Sequence, residues 1–214
     1  MIKIAPSILA ADFTKLGDEI KSVESADYLH FDVMDGVFVP NISFGFPVLE
    51  AVRQITNMVL DVHLMIDRPI RYIDKFAEAG ADIITFHFEA EESNNIQETI
   101  NEIHKYGKKA GLSIRPETPV HELIPYIDSL DLILVMTVEP GYGGQKFMSD
   151  VLPKISELRN IITDRGLDCE LEVDGGIDFE TAKLCIAAGA NVLVAGVDVF
   201  RATDRTAHIA ELRN

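Results

Sequence analysis

Eight short apolar runs of β type recur along the 214 residues, each followed by a stretch with helical signals. They occupy residues 2–9, 28–36, 60–66, 82–89, 109–115, 132–138, 170–176 and 192–200, and begin roughly 27 residues apart. That interval fits one strand, one helix and two short connections. Runs one, three, four, six and eight are mostly apolar, as parallel strands covered on both faces must be. Eight such units predict an α/β chain closed into a (β/α)8 TIM barrel, near the short end of that fold. A doubly wound open sheet is the rival, but no Gly-x-Gly-x-x-Gly follows the first run. No linker, low-complexity tract or charge block breaks the alternation, so one barrel domain is expected over residues 1–214. Asp12 is a candidate cap of the first helix, and Gly80 and Gly189 stand where helices end before the fourth and eighth runs.

Composition narrows the partners. With 19 Lys and Arg against 35 Asp and Glu, the net charge is −16. Nucleic acid and anionic membranes need a basic face, so both are excluded as main partners. A small phosphorylated substrate is not excluded, because backbone amides and a metal can hold it. Cys169 and Cys185 are too few for a disulfide framework. No apolar run approaches the ~20 residues of a membrane helix. The N-terminus reads as a strand rather than a signal peptide, so a cytoplasmic protein is expected.

In such a barrel the chemistry sits at the C-terminal ends of the strands. His30 and Asp32 lie two apart on the second run and face the same side. His63 and Met65 stand on the third run and His87 on the fourth, and Asp174 precedes Gly175-Gly176 on the seventh. His30, Asp32, His63 and Asp174 form an N2O2 set suited to Zn2+, Fe2+, Mn2+ or Co2+ rather than Ca2+ or Mg2+. Each alone also reads as a core histidine or a helix cap, and spacing leaves both readings open. Burying them together costs several kcal/mol per ion unless a cation compensates. His87 either supports a ligand or fills core. Glu172 points the same way as Asp174 and reads as a buried hydrogen-bonding partner. His104, His121 and His208 are expected on the surface.

Three glycine-bearing loops follow neighbouring runs: Gly141-Tyr142-Gly143-Gly144, Gly175-Gly176 and Ala195-Gly196-Val197. Glycine loops can be plain connections, but their clustering at the last three strands points to a phosphate grip. Met34, Met65 and Met136 fall at or near strand ends. They read either as core fillers or as polarizable thioethers over a reacting centre.

The segments 5–9, 28–36, 38–41, 63–65, 135–145 and 172–176 together resemble ribulose-phosphate 3-epimerases, in order and over essentially the whole chain. The resemblance implies an isomerase of the pentose phosphate pathway, interconverting D-ribulose 5-phosphate and D-xylulose 5-phosphate by proton transfer at C3 through a metal-stabilised cis-enediolate. It implies one divalent metal ion per subunit on His30, Asp32, His63 and Asp174, with Asp32 and Asp174 as the catalytic acid/base pair. Ser7, His63, Gly141, Tyr142, Gly143, Gly144, Gly175, Gly176, Gly196 and Val197 would bind substrate, and Met34, Met65 and Met136 would cap the reacting carbons. A homo-oligomer, dimer or hexamer, is implied as well. Val197 stands where many family members carry Ser, and Arg115 where Lys or Asn is common, so Arg115 could assist with phosphate. The alternative is a 3-epimerase of D-allulose 6-phosphate acting by the same mechanism. Decarboxylating or aldol-type relatives would carry Asp-x-Lys-x-x-Asp, which is absent. A non-catalytic sugar-phosphate-binding barrel is the remaining reading.

Overall fold

The computed structural model describes residues 1–214. Eight parallel strands run β1 (Lys3–Ala5), β2 (Tyr28–Met34), β3 (Val59–Met65), β4 (Ile83–His87), β5 (Lys109–Ile114), β6 (Leu132–Met136), β7 (Glu170–Asp174) and β8 (Val192–Val194). Their order is β1-β8-β7-β6-β5-β4-β3-β2. The ring closes between β1 and β2 through a parallel bridge of Ser7 with His30, where the His30 amide donates to Pro6 O at 3.0 Å. The expected (β/α)8 barrel is therefore present. Helices α1 (Leu16–Lys21), α2 (Phe46–Arg53), α3 (Ile73–Glu78), α4 (Ile96–Lys105), α5 (Leu152–Arg165), α6 (Phe179–Ala188), α7 (Val197–Phe200) and α8 (Arg205–Glu211) cover the outside.

Three differences from the sequence expectation have local causes. The first run was expected to extend to residue 9, but Pro6 offers no N–H to the ladder, and residues 8–10 form a 3-10 turn capped by Ser7. The eighth run ends as a strand at Val194 and becomes α7 after Gly196. Between β5 and β6 there is no α-helix. Two 3-10 turns, Val120–Glu122 and Ile127–Ser129, take its place in a segment carrying Pro116, Pro119 and Pro125. Gly189 caps α6 in the left-handed conformation, as expected, and Asp12 caps a short 3-10 turn just ahead of α1. No helix is long and apolar enough to cross a membrane.

The main core lies between sheet and helices, and a smaller apolar cluster including Ala5, Tyr28, Ile83, Leu132 and Val192 fills the inside of the barrel. The interior also encloses Thr85 beside Gly111 on neighbouring strands. A Cβ on Gly111 would stand 2.2 Å from Thr85 Oγ1, so only glycine lets that hydroxyl pack inside. Gly111→Ala is expected to destabilise the barrel by about 1–3 kcal/mol through overpacking. Urea unfolding checks this, and an unchanged midpoint would contradict it.

Candidate active site

Strand register assembles the centre. In β2 and β3, His30 pairs with Asp61, Asp32 with His63 and Met34 with Met65; across β6 and β7, Met136 pairs with Asp174. Alternation then turns these side chains into the barrel mouth. His63 Nδ1 lies 3.2 Å from Asp32 Oδ1 and 3.9 Å from Asp174 Oδ2, and His30 Nε2 lies 3.3 Å from Asp32 Oδ1. One donor atom from each of the four residues falls within 4.8 Å of all the others. The spacing-based set is brought together as expected.

The electrostatics separate the two carboxylates. Burial alone pushes Asp32 up, but His30 and His63 beside it outweigh that and hold it well below the usual carboxylate range. Asp174 makes no hydrogen bond to an imidazole; His63 Nδ1 stands 3.9 Å away. Burial, reinforced by the Asp32 charge, pushes Asp174 up to about 7. Two aspartates in one site thus differ in proton affinity, a pattern associated with paired acid and base roles. Ser7 Oγ donates to Asp32 Oδ2 at 2.5 Å, so its hydroxyl is already engaged, although Ser7 still lines the cavity.

The surrounding groups orient the histidines. His30 Nδ1 meets Asp61 Oδ2 at 2.6 Å, which leaves Nε2 facing the cluster. That Nε2 is buried and makes no hydrogen bond. Burial opposes charge on His30, yet Asp32 and Asp61 on its two sides push its pKa well up. A cation among the four donors takes over the role of that proton, so the donor set fits a divalent metal of the Zn, Fe, Mn or Co type. His63 Nε2 lies 2.9 Å from His87 Nε2, and His87 Nδ1 lies 3.1 Å from Glu89 Oε2. His87 is therefore tied to His63 and to Glu89 rather than standing as plain core.

Asp61 and Glu89 were missed by the sequence reading. Asp61 sits two residues before His63 on the same strand face, a signal that alternation could have revealed. Glu89 follows the end of β4, in a 3-10 turn where strand alternation no longer applies. Two other expectations need correction. Glu172 is fully buried, but neither carboxyl oxygen has a hydrogen-bond partner. Burial, then the neighbouring Asp61 charge, raises its pKa well above the usual carboxylate range. Arg115 does not line the cavity; its guanidinium stacks 4.5 Å from the Phe38 ring centroid and donates to Phe38 O. Of the three surface histidines, His104 and His121 are exposed, whereas His208 is half-buried against Phe179 and meets Asp198 Oδ2 at 2.5 Å.

A cavity of about 350 Å3 opens above the cluster. Asp32, Asp174, Met34, Met65 and Met136 form its floor, and Gly141, Tyr142, Gly143, Gly144, Gly175, Gly176, Gly196 and Val197 line the rest. His63 does not line it; it is wholly buried beneath the two aspartates. Glu139 and Gln145, the two ends of the glycine loop after β6, also line the cavity, as do Asn41 and Asp198, to which the sequence reading assigned no site role. No Lys or Arg reaches it. Gly176, at φ +65°, passes so close to the chain that a Cβ would stand 2.7 Å from Phe147 N. The loop after β6 is latched to the loop after β2: Asn41 Nδ2 donates to Gly141 O at 2.9 Å and Tyr142 OH to Pro40 O at 2.8 Å.

Known proteins share both the sequence and the barrel. The model of the Ribulose-phosphate 3 epimerase family matches residues 3–200. Ribulose-phosphate 3-epimerase of Bacillus subtilis is 54% identical over 216 residues, covering 100% of this chain and 99% of its own. That of Synechocystis sp. is 49% identical over 215 residues, covering 100% and 94%. Among solved structures, 3-hexulose-6-phosphate synthase from Salmonella typhimurium aligns with a TM-score of 0.75 at 16% identity, covering 99% of this chain and 97% of that one. KGPDC from Streptococcus mutans aligns with a TM-score of 0.75 at 14% identity, covering 100% and 96%. At such identities these two speak for the fold alone. The full-length match to the family, at about half identity to its members, leads to one conclusion: the chain belongs to the ribulose-phosphate 3-epimerase family.

Proposed function

We infer that this barrel interconverts D-ribulose 5-phosphate and D-xylulose 5-phosphate by moving a proton at C3. The observation that carries the reading is the pair Asp32 and Asp174, on strands separated by β1 and β8 around the ring, facing one cavity with opposed proton affinities. Inverting a carbon centre by proton transfer takes one group on each face. Asp32 takes the C3 proton from one face, and Asp174 returns one to the other. In the reverse direction the two exchange roles. His30, Asp32, His63 and Asp174 would hold a divalent ion of the Zn, Fe(II), Mn or Co type, which when bound would supply a Lewis acid for negative charge developing on the substrate oxygens. Met34, Met65 and Met136 exclude water around the reacting carbons and offer them no competing proton.

The phosphate end falls among the glycine loops. With no cationic side chain there, backbone amides of Gly143, Gly144, Gly176, Gly196 and Val197 are the donors available to an anion. Val197→Ser restores a hydroxyl donor at this end. It is expected to strengthen substrate binding by about 0.5–1.5 kcal/mol, lowering KM roughly two- to tenfold at unchanged kcat. Steady-state kinetics decide it, and an unchanged or raised KM refutes it. The implied dimer or hexamer draws support from the exposed Val37 and Ile42 near the mouth. Light scattering tests it, and a monomer overturns it.

The deciding experiment is incubation with D-ribulose 5-phosphate and added divalent metal in D2O, followed by NMR at C3. Deuterium at C3 together with xylulose 5-phosphate supports the reading. Exchange on D-allulose 6-phosphate alone moves the substrate to a hexulose phosphate. No exchange on either sugar overturns the proposal.

A further inference from the structure

Two buried histidines face the cluster, and they are supported differently. His30 leans directly on a carboxylate, Asp61. His63 leans on a second imidazole, and only that one reaches a carboxylate, Glu89. The hydrogens along this chain follow from what each end can do. An ionised carboxylate only accepts, so His87 must carry its proton on Nδ1. A neutral His87 then presents a lone pair on Nε2, so His63 must donate from its own Nε2. With an ion bound, this leaves the His63 lone pair on Nδ1, the atom 3.2 Å from Asp32 and 3.9 Å from Asp174, free to meet it.

We propose that Glu89 is a positioning residue that, through His87, sets the tautomer in which His63 offers Nδ1 as a metal donor. This rests on the metal-dependent reading of the site given above. The surroundings of Glu89 are built for that purpose. Its Oε1 accepts from the Arg115 amide at 2.9 Å and from the Thr118 hydroxyl, while Oε2 faces His87 alone. Lys154 Nζ donates to the carbonyls of Arg115, Pro116 and Thr118, which fixes the loop carrying those two donors. Phe38 packs against both the Arg115 guanidinium and His87, its ring centroid 4.9 Å from that of His87. Arg115, whose charge suggests a phosphate contact, thus belongs to the support of His87 and Glu89.

The arrangement makes an unusual forecast. A backbone N–H cannot turn into an acceptor, so in Glu89→Gln the amide oxygen must stay toward Arg115 and its NH2 must face His87 Nδ1. Two donors then oppose each other unless His87 moves its proton to Nε2. That shift turns His87 into a donor toward His63, in conflict with the tautomer His63 needs to bind metal through Nδ1. Glu89→Ala merely removes the acceptor and leaves both tautomers open. The near-isosteric variant should therefore be the more harmful one, the reverse of what a packing role gives.

The test is Zn2+ affinity of wild type, Glu89→Gln and Glu89→Ala by competition with a chromophoric chelator, together with 15N NMR of the histidines in the Zn2+-loaded wild type. Expected are a loss of about 10–100-fold in Zn2+ affinity for Glu89→Gln, a smaller loss for Glu89→Ala, and a His87 proton on Nδ1 in the Zn2+-loaded wild type. A wild-type His87 protonated on Nε2 overturns the proposal without any variant. So does Gln binding zinc as well as wild type, or Ala binding it more weakly than Gln. Failure of the wild type itself to bind Zn2+ or any of the other three ions would instead remove the metal-dependent reading on which this one stands.

Discussion

Asp174→Asn is expected to lower kcat by about 10²–10⁴-fold while leaving the fold and the cavity intact, because an amide of the same shape can neither give nor take the C3 proton. Asp32→Asn should do the same from the other face. The more telling readout is isotopic. With one carboxylate left, solvent deuterium should enter C3 of one epimer only, with almost no conversion to the other. Without an ion, burial and the charge of Asp32 together push the Asp174 pKa up to about 7. Metal content must be measured alongside, since Asp174 also belongs to the ligand set. Turnover near that of the wild type in either variant would falsify the assignment.

Stripping the divalent ion with a chelator should abolish turnover and soften the barrel. An ion present at about a thousand times its Kd stabilises the folded state by roughly 4 kcal/mol. For a chain of this size each kcal/mol shifts Tm by about 2–4 °C, so a fall of about 8–16 °C is expected by calorimetry. The cause is visible in the cluster: Asp32 and Asp174 face each other within 4.8 Å, and His30 Nε2 is buried without a partner. Activity and Tm should return with Zn2+, Mn2+, Co2+ or Fe2+. Protein shown to be metal-free that retains full turnover and the same Tm contradicts the ligand assignment.

Legibility from sequence varied with how local the signal was. His30 and Asp32, or His63 and Met65, share a face because strand alternation is a property of the backbone and needs no knowledge of the rest of the chain. Asp61 obeys the same rule, so its place beside the cluster was open to the same reasoning. Glu89 is a different case. It lies past the end of β4, where the chain leaves the strand, and its meeting with His87, Arg115 and Thr118 depends on how the loop after β5 folds back. Charge and position at a strand end pointed Arg115 toward the phosphate. It stacks on Phe38 because the loop after β2 brings that ring under it.

The number of strands, their parallel order, the four donor positions and the family could all be read from the sequence, since periodicity and motif spacing are written along the chain. The tertiary structure alone decided which nitrogen of each histidine faces the centre, why Asp32 and Asp174 differ in proton affinity, and that no cation reaches the phosphate end of the cavity. The physical reason is that burial and electrostatic potential at a side chain come from groups far away in sequence. Pairing of β2 with β3 brings Asp61 beside His30, and closing the ring of strands brings Asp174 toward Asp32, a proximity that does not exist until the barrel has formed.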